Sequence, residues 1–261
     1  MTLLTVNNLA KTYDGKTAVN NISFEFEYEK CIALIGPNGA GKTTFFNTLF
    51  GIYRPEEGEI DFNGATLIGL RPDQVAERGI ARTFQNIRLF GSMTVIENII
   101  VGMHTQLKQR GTDALFRTKT FYQEEDEAEK RAESIMEYVG LKNVGNELAR
   151  NLPYGGQRRI EIGRALAANP TLLLLDEPTA GMNPNETEDA IKLFRRIRDE
   201  KGVTILLIEH DMRVVMGISE HISVMDYGEK IAEGSPQEIR KNQRVIEAYL
   251  GRDAAAAASK N

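Results

Sequence analysis

The sequence predicts an α/β fold built on a mostly parallel sheet. Three short apolar runs carry this expectation. Residues 171–175 (Thr-Leu-Leu-Leu-Leu) and 204–208 (Thr-Ile-Leu-Leu-Ile) are continuously apolar, and a charged stretch of helical character, 185–201, lies between them. Strands that are apolar on both faces and alternate with helices belong to a parallel sheet covered on each side. The third run, Cys31-Ile32-Ala33-Leu34-Ile35, ends in a glycine-rich turn. A helix is predicted to follow over 42–50, stopped by Gly51 and Pro55.

The other elements follow from their patterns. Leu4, Val6 and Leu9 precede a predicted turn at Lys11-Thr12-Tyr13-Asp14-Gly15, and Ile22, Phe24 and Phe26 continue with the period of a strand. Residues 59–64 (Glu-Ile-Asp-Phe-Asn-Gly) read as a strand closing on an Asn-Gly turn. From 87 to 168 the character is helical. Within it, 122–139 is dense in Glu, Lys, Arg and Ala, with Ile135, Met136 and Val139 at helical spacing, and its charges mark a solvated face. A last helix is predicted over 236–250, and the Ala-rich tail from Ala254 is expected to fray.

Composition narrows the function. The 261 residues are 41% apolar and 26% charged, which excludes disordered and fibrous chains. A net charge of −5, from 32 basic and 37 acidic residues, argues against a nucleic-acid partner. Cys31 is the one cysteine, so no intramolecular disulfide forms, and a reducing compartment fits. Inside a buried strand it reads as inert core. No apolar run approaches the roughly 18 residues of a membrane span. Residues 1–13 lack the charged-then-apolar order of a signal peptide. A cytoplasmic protein is expected.

Two motifs carry chemistry. Gly36-Pro37-Asn38-Gly39-Ala40-Gly41-Lys42-Thr43, followed by Thr44, satisfies the phosphate-loop pattern G-x-x-x-x-G-K-[ST] between a strand and a helix. Its glycines let backbone N–H groups turn toward phosphate oxygens, and the helix N-terminus adds partial positive charge. Lys42 is expected to reach the β- and γ-phosphates, with the Thr43 hydroxyl on Mg²⁺. The second motif is Asp176-Glu177-Pro178, two carboxylates at the end of an apolar strand. Such strand ends are where parallel sheets bind ligands. Asp176 is expected to hold Mg²⁺ through water, and Glu177 to polarise the attacking water.

With these motifs the sequence resembles the nucleotide-binding subunit of an ATP-binding cassette (ABC) transporter along nearly its whole length. The resemblance implies a P-loop NTPase core with a mostly parallel sheet, an N-terminal antiparallel β subdomain and an inserted helical lobe. It implies one domain over 1–253, with the core at 1–86 and 169–253, the lobe at 87–168, and a disordered tail at 254–261. The implied cofactors are ATP and Mg²⁺. Gln85, in Arg82-Thr83-Phe84-Gln85, matches the family's Q-loop glutamine, which contacts Mg²⁺ and the γ-phosphate region. His210 matches the switch histidine that steadies the γ-phosphate, and Tyr13 lies where an aromatic ring meets adenine. Glu177, His210 and Gln85 are thus the implied catalytic set.

Leu152-Pro153-Tyr154-Gly155-Gly156-Gln157 occupies the place of the family signature, Leu-Ser-Gly-Gly-Gln. Counting back without gaps from Arg164-Ala165-Leu166 aligns Leu152 with the signature leucine and Pro153 with its serine. Sliding by one recovers Gly-Gly-Gln but puts Pro153 at the leucine. The serine hydroxyl is missing either way, and Pro153 supplies no N–H. Gly155 and a helix expected to begin near Gly156 remain for the ATP of a partner subunit. The family's D-loop aspartate is replaced by Asn183.

Narrower stretches look like the ATPase subunit of branched-chain amino acid importers. They are Arg78-Gly79-Ile80-Ala81-Arg82-Thr83-Phe84-Gln85-Asn86, Ile208-Glu209-His210-Asp211-Met212, Met216-Gly217-Ile218-Ser219 and Val245-Ile246-Glu247-Ala248-Tyr249-Leu250-Gly251. The resemblance implies a sandwich dimer with a second ATPase subunit, two transmembrane permease subunits, a substrate-binding protein in the complex, and a place on the inner face of the cell membrane. After the Q-loop, Leu89 and Phe90 are expected to line a groove for a short helix of the membrane partner, while most of the apolar residues from Ile87 to Ile100 fill the lobe's core. Other readings stay open: a urea or amide transporter, a soluble ABC ATPase, or a small-molecule kinase.

Overall fold

The computed structural model describes residues 2–13, 15–106 and 119–250. The chain opens with a long antiparallel hairpin, β1 (Thr2–Tyr13) and β2 (Lys16–Glu27). Lys11, Thr12 and Tyr13 were expected to turn. Instead they remain paired, opposite Val19, Thr17 and Lys16. Glu56 explains the extension: it takes the Lys11 ammonium at 2.6 Å and the Thr12 amide at 2.9 Å, holding both extended.

Next come β3 (Cys31–Ile35), α1 (Lys42–Leu49), β4 (Glu57–Phe62) and β5 (Ala65–Thr66). The turn between β4 and β5 uses Asn63 at φ 52° and Gly64 at φ 75°, the pair of left-handed residues an Asn-Gly hairpin requires. Strands β2-β1-β4-β5, in that order, make one antiparallel sheet. After α2 (Pro72–Glu77) and β6 (Ile80–Arg82) the chain turns helical, with α3 (Val95–Val101), α4 (Lys119–Tyr138) and α5 (Tyr154–Ala167). Ala128, Ala132 and Met136, spaced by four, form the buried face of α4.

The rest alternates: β7 (Leu172–Asp176), α6 (Pro184–Lys201), β8 (Thr204–Ile208), α7 (Met212–Ile218), β9 (His221–Asp226), β10 (Glu229–Gly234), α8 (Pro236–Lys241) and α9 (Gln243–Leu250). The single helix expected over 236–250 is broken at Asn242. Its side-chain oxygen accepts from the Arg244 amide at 3.0 Å and so caps a new helix. The frayed tail expected from Ala254 lies outside the described residues.

The second sheet runs β10-β9-β3-β8-β7-β6, parallel throughout except for β10. Its central strands are buried on both faces; alternation along β7 and β8 builds two cores, and Ala33 and Ile35 of β3 join a third with Val215, Val224 and Ile239. Leu173, Leu175, Ile205 and Leu207 pack with Val95, Ile99, Ile160 and Phe194 from the helices. Leu172, Leu174, Leu206 and Ile208 pack with Phe45 and Phe46 of α1 and with Leu4, Phe24 and Phe62 of the antiparallel sheet. Each fully buried leucine contributes roughly 1.5–3 kcal/mol of transfer free energy before its ordering cost. These packed faces hold the C-terminal ends of β3, β7 and β8 side by side.

Candidate nucleotide site

The Gly36–Gly41 loop leaves β3 and enters α1 under tight constraint. Gly36 has φ 150°, and a Cβ there would lie 2.0 Å from the Met225 carbonyl oxygen. At Gly41, φ 97°, a Cβ would lie 2.1 Å from the Ala18 oxygen. Both positions demand glycine by conformation and by space. Pro37, Asn38, Gly39 and Ala40 form the arch between them, with Asn38 and Gly39 exposed. Lys42 is buried and folds back, donating to the Gly36 and Pro37 carbonyls at 2.7 and 2.9 Å. Burial pulls its ammonium below the ordinary lysine pKa, while the carboxylates of Glu177 and Asp176 oppose this. Thr43 is exposed and Thr44 half-buried in the first turn of α1.

Asp176 ends β7 beside Arg82, whose Nη2 donates to Asp176 Oδ2 at 2.9 Å in a fully buried pair. Arg82 Nη1 also donates to Asn47 Oδ1 of α1 at 2.7 Å, and the guanidinium sits 5.5 and 5.1 Å from the Phe46 and Phe84 ring centroids. Burial raises the Asp176 pKa, and Arg82 works against that rise. Among the described residues no cluster of three or more His, Cys, Asp and Glu side chains is arranged to hold a metal. The donor set near the loop is instead one exposed hydroxyl, Thr43, and one carboxylate. Magnesium takes such a sparse protein set when phosphates and water complete its octahedron, so these residues fit the ion.

Glu177 leaves the strand with φ 47°, a left-handed conformation that costs a non-glycine residue about 1–2 kcal/mol. The bond from its amide to the Ile208 carbonyl, 2.8 Å, holds it there. This brings its carboxylate between two others of the expected set. Gln85 Nε2 donates to Oε2 at 3.1 Å, and His210 Nε2 lies 2.7 Å from Oε1, donating in the Nε2–H tautomer. Three residues distant in sequence thus converge at the ends of β6, β7 and β8.

Tyr13 packs edge-on against Tyr53, ring centroids 5.2 Å apart, with the Lys11 ammonium 5.1 Å from its centroid. Burial is the main cause pushing its hydroxyl pKa up to about 12. In the signature segment, Leu152 is buried in the helical core while Pro153 and Tyr154 are exposed. The helix begins at Tyr154, two residues before the expected Gly156, with Pro153 at its N-cap and the Gln157 amide bonded to the Pro153 carbonyl at 3.0 Å. Gly155 is buried, and a Cβ there would lie 2.8 Å from Glu186 Oε1. Leu89 packs against the helical core, while Phe90 is exposed with Arg164 over its ring.

Several supporting residues were not anticipated. Arg158, wholly buried, donates to the Phe84 and Gln85 carbonyls at 2.7 and 2.9 Å and pairs with Glu161 at 2.7 Å. Glu161 in turn accepts from the Phe84 amide at 3.2 Å. The signal was a buried-helix pattern, Ile160 and Ile162, interrupted by charges three residues apart.

A glycine-caged loop capped by lysine, beside strand-end carboxylates on a parallel sheet, defines a P-loop ATPase cassette. Residues 19–180 match the family described as ABC transporter, and residues 229–255 match the one described as Branched-chain amino acid ATP-binding cassette transporter. The chain belongs to the ABC transporter family. Over 249 residues it is 49% identical to the high-affinity branched-chain amino acid transport ATP-binding protein LivG of Salmonella typhimurium, covering 95% of this chain and 98% of that one. The corresponding protein BraF of Pseudomonas aeruginosa is 45% identical with the same coverage. The ADP conformation of a solved ATP-binding cassette of an ABC transporter has 31% identity and a TM-score of 0.83, covering 97% of this chain and 100% of that chain. Among the described residues no helix is long and apolar enough to cross a membrane.

Proposed function

We propose that this chain is the ATP-hydrolysing subunit of an importer of branched-chain amino acids: leucine, isoleucine and valine. One observation carries the mechanism: the Glu177 carboxylate is gripped on one oxygen by Gln85 and on the other by His210. Both gripping groups are donors that an incoming γ-phosphate would also attract. Their transfer to phosphate releases Glu177 to take a proton from water at the oxygen so freed. Lys42 exchanges the Gly36 and Pro37 carbonyls for phosphate oxygens, and free amides at the start of α1 would add further donors. Thr43, Gln85 and, through water, Asp176 would hold Mg²⁺. When bound, the ion neutralises phosphate charge. Tyr13 is assigned to the adenine.

The cargo reading is supported by the identity to the LivG and BraF proteins and by the match over 229–255. A transport subunit of this kind works at the inner face of the membrane, with two permease subunits, a second ATPase subunit and a substrate-binding protein. The Gly155 end of α5 would then face the second subunit's ATP, and Phe90 would face a permease helix. The chain divides into a core, 1–86 and 169–253, and a helical lobe, 87–168.

The Glu177→Gln variant tests this reading. It should bind MgATP as the wild type does but turn over at least ~10²-fold more slowly, the usual scale for losing a general base. Purified with MgATP from solubilised native membranes, it should bring two polytopic proteins and a second ATPase. Recovery of soluble partners alone would overturn the transporter assignment.

A further inference from the structure

Glu209 is a buried carboxylate that the mechanism above does not use. It sits between the end of β8 and the start of α7, 4% exposed. Its Oε1 accepts from the Thr179 amide at 3.0 Å and from the Thr179 hydroxyl. Its Oε2 accepts from the amides of His210 at 2.8 Å and Asp211 at 3.2 Å. All four donors are neutral, and all belong to two turns only. One turn carries Glu177, two residues before Thr179, and is closed by the Ala180 amide bonding the Glu177 carbonyl at 3.2 Å. The other carries His210.

We propose that Glu209 is a positioning residue that locks the His210 turn to the Glu177 turn. The lock holds the 2.7 Å contact between the two side chains ready for the γ-phosphate. The chemistry requires a carboxylate. Each oxygen meets two donors, so an amide would satisfy one turn with its oxygen and present an N–H₂ group to the donors of the other. Glu209→Gln therefore keeps the volume and releases one turn. Three of the four bonds go to main-chain amides, so they constrain where the His210 backbone lies and not merely how its ring rotates.

This inference rests on the ATPase reading of Glu177 and His210, and its test separates the two. Single-turnover ATP hydrolysis and MgATP affinity would be measured on the full-length chain as wild type, Glu209→Gln, His210→Gln and the double variant. Glu209→Gln should slow hydrolysis about tenfold, the scale of one lost charge-assisted hydrogen bond, with affinity within about twofold. In the His210→Gln background the same change should slow it by no more than about twofold, because the residue it positions is already gone. An equal loss in both backgrounds, or wild-type hydrolysis by Glu209→Gln, overturns the positioning role. Wild-type hydrolysis by His210→Gln instead overturns the underlying reading of the site. Should Glu209→Gln fail to fold, Thr179→Val removes one donor from the same lock. It should give a smaller loss, about threefold, that again vanishes in the His210→Gln background.

Discussion

At single residues, burial sets the chemistry as much as identity does. Cys31 lies in β3, and burial pushes its thiol up to about 12, with Arg198 opposing weakly. A thiol with so high a pKa stays protonated near neutrality, and the thiolate is the reactive form. In the native protein Cys31 should therefore resist a thiol reagent at pH 8 and react within minutes once denatured, as a colorimetric thiol assay would record. Cys31 was readable from sequence because its five-residue apolar run left no other place for it. The same holds for Lys42, whose motif is contiguous, and for Asp176 and Glu177, which close a run of leucines. Arg82, Arg158 and Glu209 were not readable. Arg82 meets Asp176 across 94 positions, Arg158 meets the Gln85 carbonyl across 73, and Glu209 meets Thr179 across 30. Nothing local distinguishes such side chains from surface charges until the sheet brings the partners together.

At the scale of elements, boundaries follow from which backbone groups find side-chain partners. Asn183 accepts from the Asn185 and Glu186 amides, both at 3.0 Å, and Glu186 returns a bond to the Asn183 amide at 2.9 Å. This capping box starts the 18-residue helix α6, so Asn183→Ala should lower stability by about 1 kcal/mol in urea unfolding. Pro153 starts α5 with neither a hydroxyl nor an amide hydrogen. Pro153→Ser in the assembled complex should raise ATPase activity several-fold, the scale of one added hydrogen bond to a charged group. Steady-state turnover with this chain's own site silenced by Glu177→Gln would measure it, and no rise would count against the ungapped register. Elements with strong periodicity or continuous apolarity, such as β3, β7, β8 and α6, were legible. The hairpin of β9 and β10 was missed. Its turn, Tyr227 at φ 45° and Gly228 at φ 80°, uses a tyrosine where Asn or Asp is the usual sign.

Across the whole molecule, the two cores on either side of β7 are separated only by the thickness of a strand. Leu173 and Leu175 face the helices while Leu172 and Leu174 face the antiparallel sheet. Ile99 of α3 and Ile160 of α5 belong to the same buried cluster as Phe194 of α6 and Leu207 of β8. The helical stretch and the sheet therefore share one dry layer, and heating should give a single calorimetric transition whose calorimetric and van't Hoff enthalpies agree. Two separated transitions would contradict that continuity. The general α/β architecture could be foreseen from three apolar runs, but this sharing could not, since it depends on which face of each strand the helices cover. It has a consequence for chimeras. A helical lobe borrowed from a relative with a different permease would have to fit the Leu173–Leu175–Ile205–Leu207 surface side chain by side chain. Phe90, proposed to face a permease, is exposed, so partner choice in such hybrids is better probed there than by transplanting the lobe, because a mismatched graft would lose the fold before it changed the partner.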